Sequence, residues 1–164
     1  MAEPRSQPEP EPRPEPEAAA TPGPRDLFAR MKRNWLSPAA PVMDSLLAED
    51  AVVEIPFAAP DRPRRFQGRA QFLAFAEAAR ASLPVRFTDC RDVAIHDTAD
   101  PEVIVVEYEL TGIVTTTGHR ATAGFIGVLR ARDGQIVTWR EYQDTLAIAQ
   151  ALGQPPAKTA GLAS

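Results

Sequence analysis

Four runs of residues with a period of two, separated by short turns, constrain this chain more than anything else in it. Val85 to His96, Val103 to Thr117, Arg120 to Arg132 and Gln135 to Gln143 alternate β-branched or aromatic residues with polar ones, the pattern of half-buried strands. The connecting stretches TADP, TTGH and RDG are turn signals, and the last two are short enough for hairpins. Gly134 supplies the positive φ that a three-residue hairpin loop needs. The carboxy-terminal half is therefore predicted as a four-stranded meander. Within it Glu107 and Glu109 alternate with Val106, Tyr108 and Leu110, giving one apolar face toward the rest of the fold and one mixed face toward water or a second subunit.

Before Pro84 the period is helical. Leu27, Phe28, Met31, Trp35 and Leu36 approximate an i, i+3, i+4 stripe that begins at Asp26 and is broken at Ser37 and Pro38. Val42, Met43, Leu46 and Leu47 predict a second, short helix leading into a strand at Ala51 to Phe57. AAPDRPRR reads as a proline-studded loop, and the stretch from Gly68 as a helix burying Phe72, Phe75, Ala76 and Ala79. TLAIAQALG reads as a short final helix. Helix, helix, strand, helix and then a meander is an α+β order. It predicts a curved antiparallel sheet wrapped around helices, a cone with an apolar pocket.

Residues 1–24 hold 8 of the 17 prolines and five Glu against two Arg, with almost nothing to bury, so they are expected to be a disordered tail. The expected domain spans residues 25–153, with a flexible tail at 154–164. That first tail carries −3 of the formal net charge of −4, leaving a near-neutral body with no basic footprint for nucleic acid. No apolar run reaches the roughly 20 residues that cross a bilayer, and the amino terminus lacks a signal-peptide core, so a cytoplasmic protein is the default. One cysteine, Cys90, and two histidines, His96 and His119, leave too few soft ligands for a metal cage. Both histidines are expected at the surface.

One residue resists the strand reading. If Val137 and Trp139 point inward, alternation sends Glu141 inward beside them. A carboxylate among apolar side chains is desolvated, which raises its pKa and suits it to exchange a proton with a ligand. The structural alternative is a pairing with an arginine at the sheet edge. Tyr108, on the same inward face, is either a hydrogen-bond donor to a ligand or a core tyrosine, and Trp139 is either pocket wall or core. Arg62, Arg64 and Arg65 are either an anion-attracting loop or a solvated one. Gly124 and Gly127, flanking Phe125 and Ile126 inside a strand, are expected to mark a bulge or bend.

Taken in order, LLAEDAVVEIPF, GRAQFLAF, DPEVIVVEYELTG and DGQIVTWREYQDTLAIAQALG resemble the SnoaL-like and ketosteroid-isomerase-like branch of the nuclear transport factor 2-like superfamily. Within it they are most similar to the phenazine-biosynthesis A/B proteins. The resemblance implies an α+β cone with a deep apolar pocket, a homodimer through the outer sheet face, and cofactor-independent chemistry. It places the pocket glutamate at Glu141. The histidine that partners it on the third helix of the phenazine proteins is matched by Phe75. Epoxide hydrolysis as practised in this superfamily is disfavoured, because Tyr108 and Leu110 stand where an Arg and an Asp are needed, and Val53 and Ile55 where a Tyr and an Asn are.

Two functions are thus open. One is a cofactor-free enzyme of small-molecule metabolism, with Glu141 as general acid/base in isomerisation, cyclisation, dehydration or condensation of a hydrophobic cyclic metabolite. The other is a binding or assembly-partner protein using the same pocket without turnover. Either would line the pocket with Tyr108, Trp139, Phe57, Phe75, Phe125, Leu110, Val53 and Ile55. A second polar group within hydrogen-bond reach of what Glu141 contacts is the feature that favours the enzyme.

Overall fold

The computed structural model describes residues 21–37, 43–59 and 62–153, so residues 1–20 of the tail expected at 1–24, and all of the tail expected at 154–164, lie outside it. Along the chain run α1 (Pro24–Leu36), α2 (Met43–Leu46), β1 (Leu47–Glu54), β2 (Arg65–Gln67), α3 (Arg69–Ser82), β3 (Val85–Asp97), β4 (Val103–Val114), β5 (Arg120–Arg132), β6 (Gln135–Gln143) and α4 (Thr145–Ala151). The strands form one curved, open sheet in the order β2-β1-β6-β5-β4-β3. Every pairing is antiparallel except β1 with β6, which is parallel. The α+β expectation holds.

The meander forms as its alternation and turns require. β5 and β6 match the sequence reading, and β4 stops at Val114, three residues early, where TTTG turns the chain. Asp133 and Gly134 both take positive φ in the β5–β6 turn, 51° and 74°. Thr21 and Pro22 lie against this turn, within 3.3 Å of where a Gly134 side chain would begin. Gly23 then caps α1, its N–H donating to Asp26 Oδ2 at 3.1 Å, and Pro24 occupies the first turn, where its missing N–H costs nothing. The folded body thus reaches at least to Thr21.

Helix α1 lies across the concave face of the sheet. Its stripe buries Leu27, Phe28 and Met31, each contributing roughly 1.5–3 kcal/mol relative to exposure. Trp35 packs against this core half-buried, and Leu36 is exposed instead of belonging to the stripe. Other departures are equally local. Leu47 opens β1 instead of closing a helix, β1 ends at Glu54, and Phe57 falls outside it. The proline-studded loop runs at Arg65 into a strand, β2, which pairs with β1 and buries Phe66 against Val53. α3 buries no residue fully, because it covers only the β1–β2 end of the sheet. Val42 lies outside the described residues.

Candidate functional site

Cross-strand register settles what faces the concave side. Asp92, Tyr108, Phe125 and Gln143 form one row across β3, β4, β5 and β6, and Ile95, Val106, Gly127 and Glu141 form the next. Glu141 therefore does face inward. The route differs from the one expected, since β6 slips register against Arg130 and Ala131, leaving Val137 as the extra, half-buried residue while Ile136 and Trp139 are buried.

The Glu141 carboxylate is not isolated. The Tyr108 hydroxyl donates a short hydrogen bond to its Oε2, and the Gln143 amide donates to its Oε1 at 2.7 Å. Burial pushes the carboxyl above the ordinary range, while the donors on Tyr108, Gln143 and Trp139 pull it back down. Glu141 is half-buried as a whole residue, with its carboxyl end desolvated. Burial, then the neighbouring Glu141 charge, pushes Tyr108 well above the ordinary tyrosine range, so it stays a donor. The expected alternative of a sheet-edge arginine goes elsewhere. Arg140, next to Glu141 but on the convex face, binds Glu54 at 2.7 Å, and Arg65 binds the same carboxylate. These arginines, Arg140 first, hold Glu54 below its ordinary value.

Tyr108 is 1% exposed and lies between two rings: Phe125 at 5.2 Å and 11°, and Trp35 at 5.4 Å and 22°. Phe28 packs on Tyr108 at 5.5 Å and on Trp139 at 6.3 Å. Phe28 and Trp35 of α1 thus cover Tyr108 and Trp139, two of the residues expected to wall a deep pocket. Two surface depressions, one along Thr21–Pro24 and one along Asp26–Arg33, lie away from Glu141. Access to Glu141 is on the flank where Phe125, Glu141 and Gln143 each keep part of their surface.

Of the remaining candidates, Val53 is buried against Trp139 in the parallel pairing, Ile55 packs half-buried at its end, and Leu110 sits on the concave face between Cys90 and Ala123. Two candidates do not join the site. Phe57 is 63% exposed and meets Tyr142 edge-on at 5.2 Å, on the convex side, because the chain leaves β1 three residues before it. Phe75 stacks on Phe66 at 4.5 Å, above a residue of β2 that is two strands from β6. Gln143 escaped the sequence reading although a signal existed: it is two residues past Glu141, so the same alternation turns both inward.

Gly127 has a different role from the bulge expected of it. Pairing with β4 runs unbroken through Gly124 and Gly127, and pairing with β6 runs unbroken through Gly127. A Cβ at Gly127 would stand 2.2 Å from the Trp139 ring, so the glycine makes room for that ring beside Glu141. Arg65 is committed to Glu54, while Arg62 and Arg64 are exposed. His119 is exposed at a turn, and His96 pairs with Glu107 on the convex face at 2.8 Å. Among the described residues no group of three or more His, Cys, Asp or Glu is placed to hold a metal ion, and no helix is long and apolar enough to cross a membrane.

Comparison with known proteins adds the following. Residues 28–139 match the model of the SnoaL-like domain. A PhzA/B-like protein of Pseudomonas aeruginosa is 37% identical over 108 residues, 66% of this chain and 74% of that protein. A Bacillus subtilis crystal structure, a proposed isomerase, superposes with a TM-score of 0.65 at 26% identity, covering 80% of this chain and 90% of the other. A phenazine biosynthesis-related protein of Pseudomonas aeruginosa superposes with a TM-score of 0.56 at 17% identity, covering 85% and 99%, which speaks to the fold alone.

Proposed function

Because this chain belongs to the SnoaL-like domain family, we propose that it is a cofactor-independent enzyme of small-molecule metabolism that isomerises or cyclises a hydrophobic, ring-containing ligand, with Glu141 exchanging the proton. One observation carries the reading: a desolvated carboxylate on the concave face has hydroxyl and amide donors in direct contact and no ion-pair partner among the described residues. A carboxylate kept for structure is normally paired with a cation, as Glu54 is. Glu141 is instead held by neutral groups, which leave its proton exchangeable and place a second polar group within reach of the reacting centre. Phe125 and Gln143 flank the access side, so an aromatic or alicyclic ligand would stack there with its polar edge toward Glu141. Dehydration and condensation use the same proton exchange and stay within the proposal.

The second reading, a binding or assembly-partner protein, has one observation in its favour. Phe75 stands in place of the partner histidine and packs away from Glu141. The test is a panel of polycyclic aromatic ketones and cyclic enones, screened by quenching of the two tryptophans and then incubated with parent and Glu141→Gln for product analysis by mass spectrometry. Turnover that falls by about two orders of magnitude or more in the variant supports the enzyme. Equal binding by both proteins without product would leave only the binder.

A further inference from the structure

We infer that Tyr108 and Gln143 are positioning residues, a two-sided clamp that fixes the plane of the Glu141 carboxylate and keeps it ready to accept a proton from the exposed flank. The inference rests on the proposed role of Glu141 and extends it to two residues that do not themselves react. The geometry is specific. Tyr108 arrives from β4, reaching across β5 to Oε2, while Gln143 arrives from two residues further along β6 to Oε1. Each oxygen thus accepts from a different one of these two side chains, so rotation about the carboxyl bond would break both hydrogen bonds at once. Gly127, opposite Glu141 on β5, has no side chain to obstruct the tyrosine's path.

The clamp is itself held. Tyr108 is wedged between Trp35 and Phe125, so its hydroxyl cannot swing away without unstacking two rings. The other titratable groups on this face lie behind Tyr108, away from Glu141. Asp92 on β3 is directly opposite Tyr108 and is bound by Lys32 of α1 at 2.5 Å, and Cys90 on β3 is pushed up to about 11 by burial. The Lys32–Asp92 ion pair carries no net charge, leaving burial and the donors on Tyr108, Gln143 and Trp139 to decide how Glu141 titrates.

Removing a donor to the charged form must raise the carboxyl's midpoint. The test labels glutamate with 13C at Cδ in the full chain, assigns Glu141 by the signal lost in Glu141→Gln, and follows that signal against pH without any ligand. Tyr108→Phe and Gln143→Leu should each move the midpoint upward by about one pH unit, the scale of a lost hydrogen bond to a charged group. Phe125→Leu, which loosens packing and removes no donor, should leave it within about 0.3 units on the same scale. Midpoints in both donor variants that match the parent, or fall below it, would overturn the clamp. Should Tyr108→Phe fail to fold, half-exposed Gln143 decides alone. Since no ligand is present, the outcomes separate: an unmoved midpoint removes the clamp and leaves turnover by Glu141 to its own assay, whereas a moved midpoint in a protein without turnover keeps the clamp and removes the reaction.

Discussion

Replacing Gly127 by alanine adds one methyl group beside Trp139, and the structure says what it must cost. The new Cβ would lie 2.2, 2.7 and 2.9 Å from three carbons of the indole. Carbon contacts settle near 3.5–4.0 Å, so the ring has to retreat by roughly 1.3 Å. It has little room to do so, with Phe28 at 6.3 Å, Trp35 at 6.4 Å and Tyr108 at 6.5 Å between centroids. Overpacking of this kind costs about 1–3 kcal/mol, against about 0.4–1 kcal/mol gained by restricting the unfolded chain. The net is a loss of about 1–2 kcal/mol, or about 3–10 °C in melting temperature for a domain of this size. Gly124→Ala is the matched control. It sits three residues away on the same strand, also without positive φ, with nothing within 4 Å of the added atom. Urea unfolding of both variants, with m-values compared, reads the difference directly. If Gly127→Ala came within about 0.5 kcal/mol of Gly124→Ala, the indole would not be where this account needs it, and the packing beside Glu141 would have to be redrawn.

Four further outcomes are expected. Glu141→Gln should be at least as stable as the parent near neutral pH, since it keeps the shape and removes a desolvated charge; a strongly destabilised variant in thermal unfolding would make Glu141 a structural residue. The sign of the pH dependence follows from the same raised carboxyl: the folded state holds the proton more tightly than the unfolded chain, so stability falls as pH rises from the ordinary glutamate value to the folded one, and Glu141→Gln should flatten that segment of a stability–pH curve. We also propose a homodimer through the convex face, where Ile126 is 45% exposed beside Tyr142, Val105 and Val128; light scattering at high micromolar concentration should give twice the chain mass, and a monomer mass would remove that interface. Deleting residues 1–20 should leave the melting temperature nearly unchanged, whereas deletion through Gly23 should lower it by losing the contact with Gly134 and the cap of α1.

The sequence by itself determined what short-range physics can carry. The meander was legible because alternation and turn chemistry are local, and the inward direction of Glu141 followed from the strand period, even though a bulge at Val137 changed the residue that shares its face. β2 was hidden because three residues among prolines and arginines show no periodicity; it exists only because β1 offers an edge to pair with. Tertiary structure alone decided the rest. Tyr108 and Glu141 are 33 positions apart, and their hydrogen bond requires a tyrosine long enough to cross β5 at a glycine. Tyr108 is covered because α1 returns Phe28 and Trp35 to the concave face; the stripe on the helix says that they are buried, and only the closed fold says against which strand residues. Phe57 and Phe75 left the site for the same reason: apolar character says that a side chain will be covered where it can be, and only the closed fold says by what.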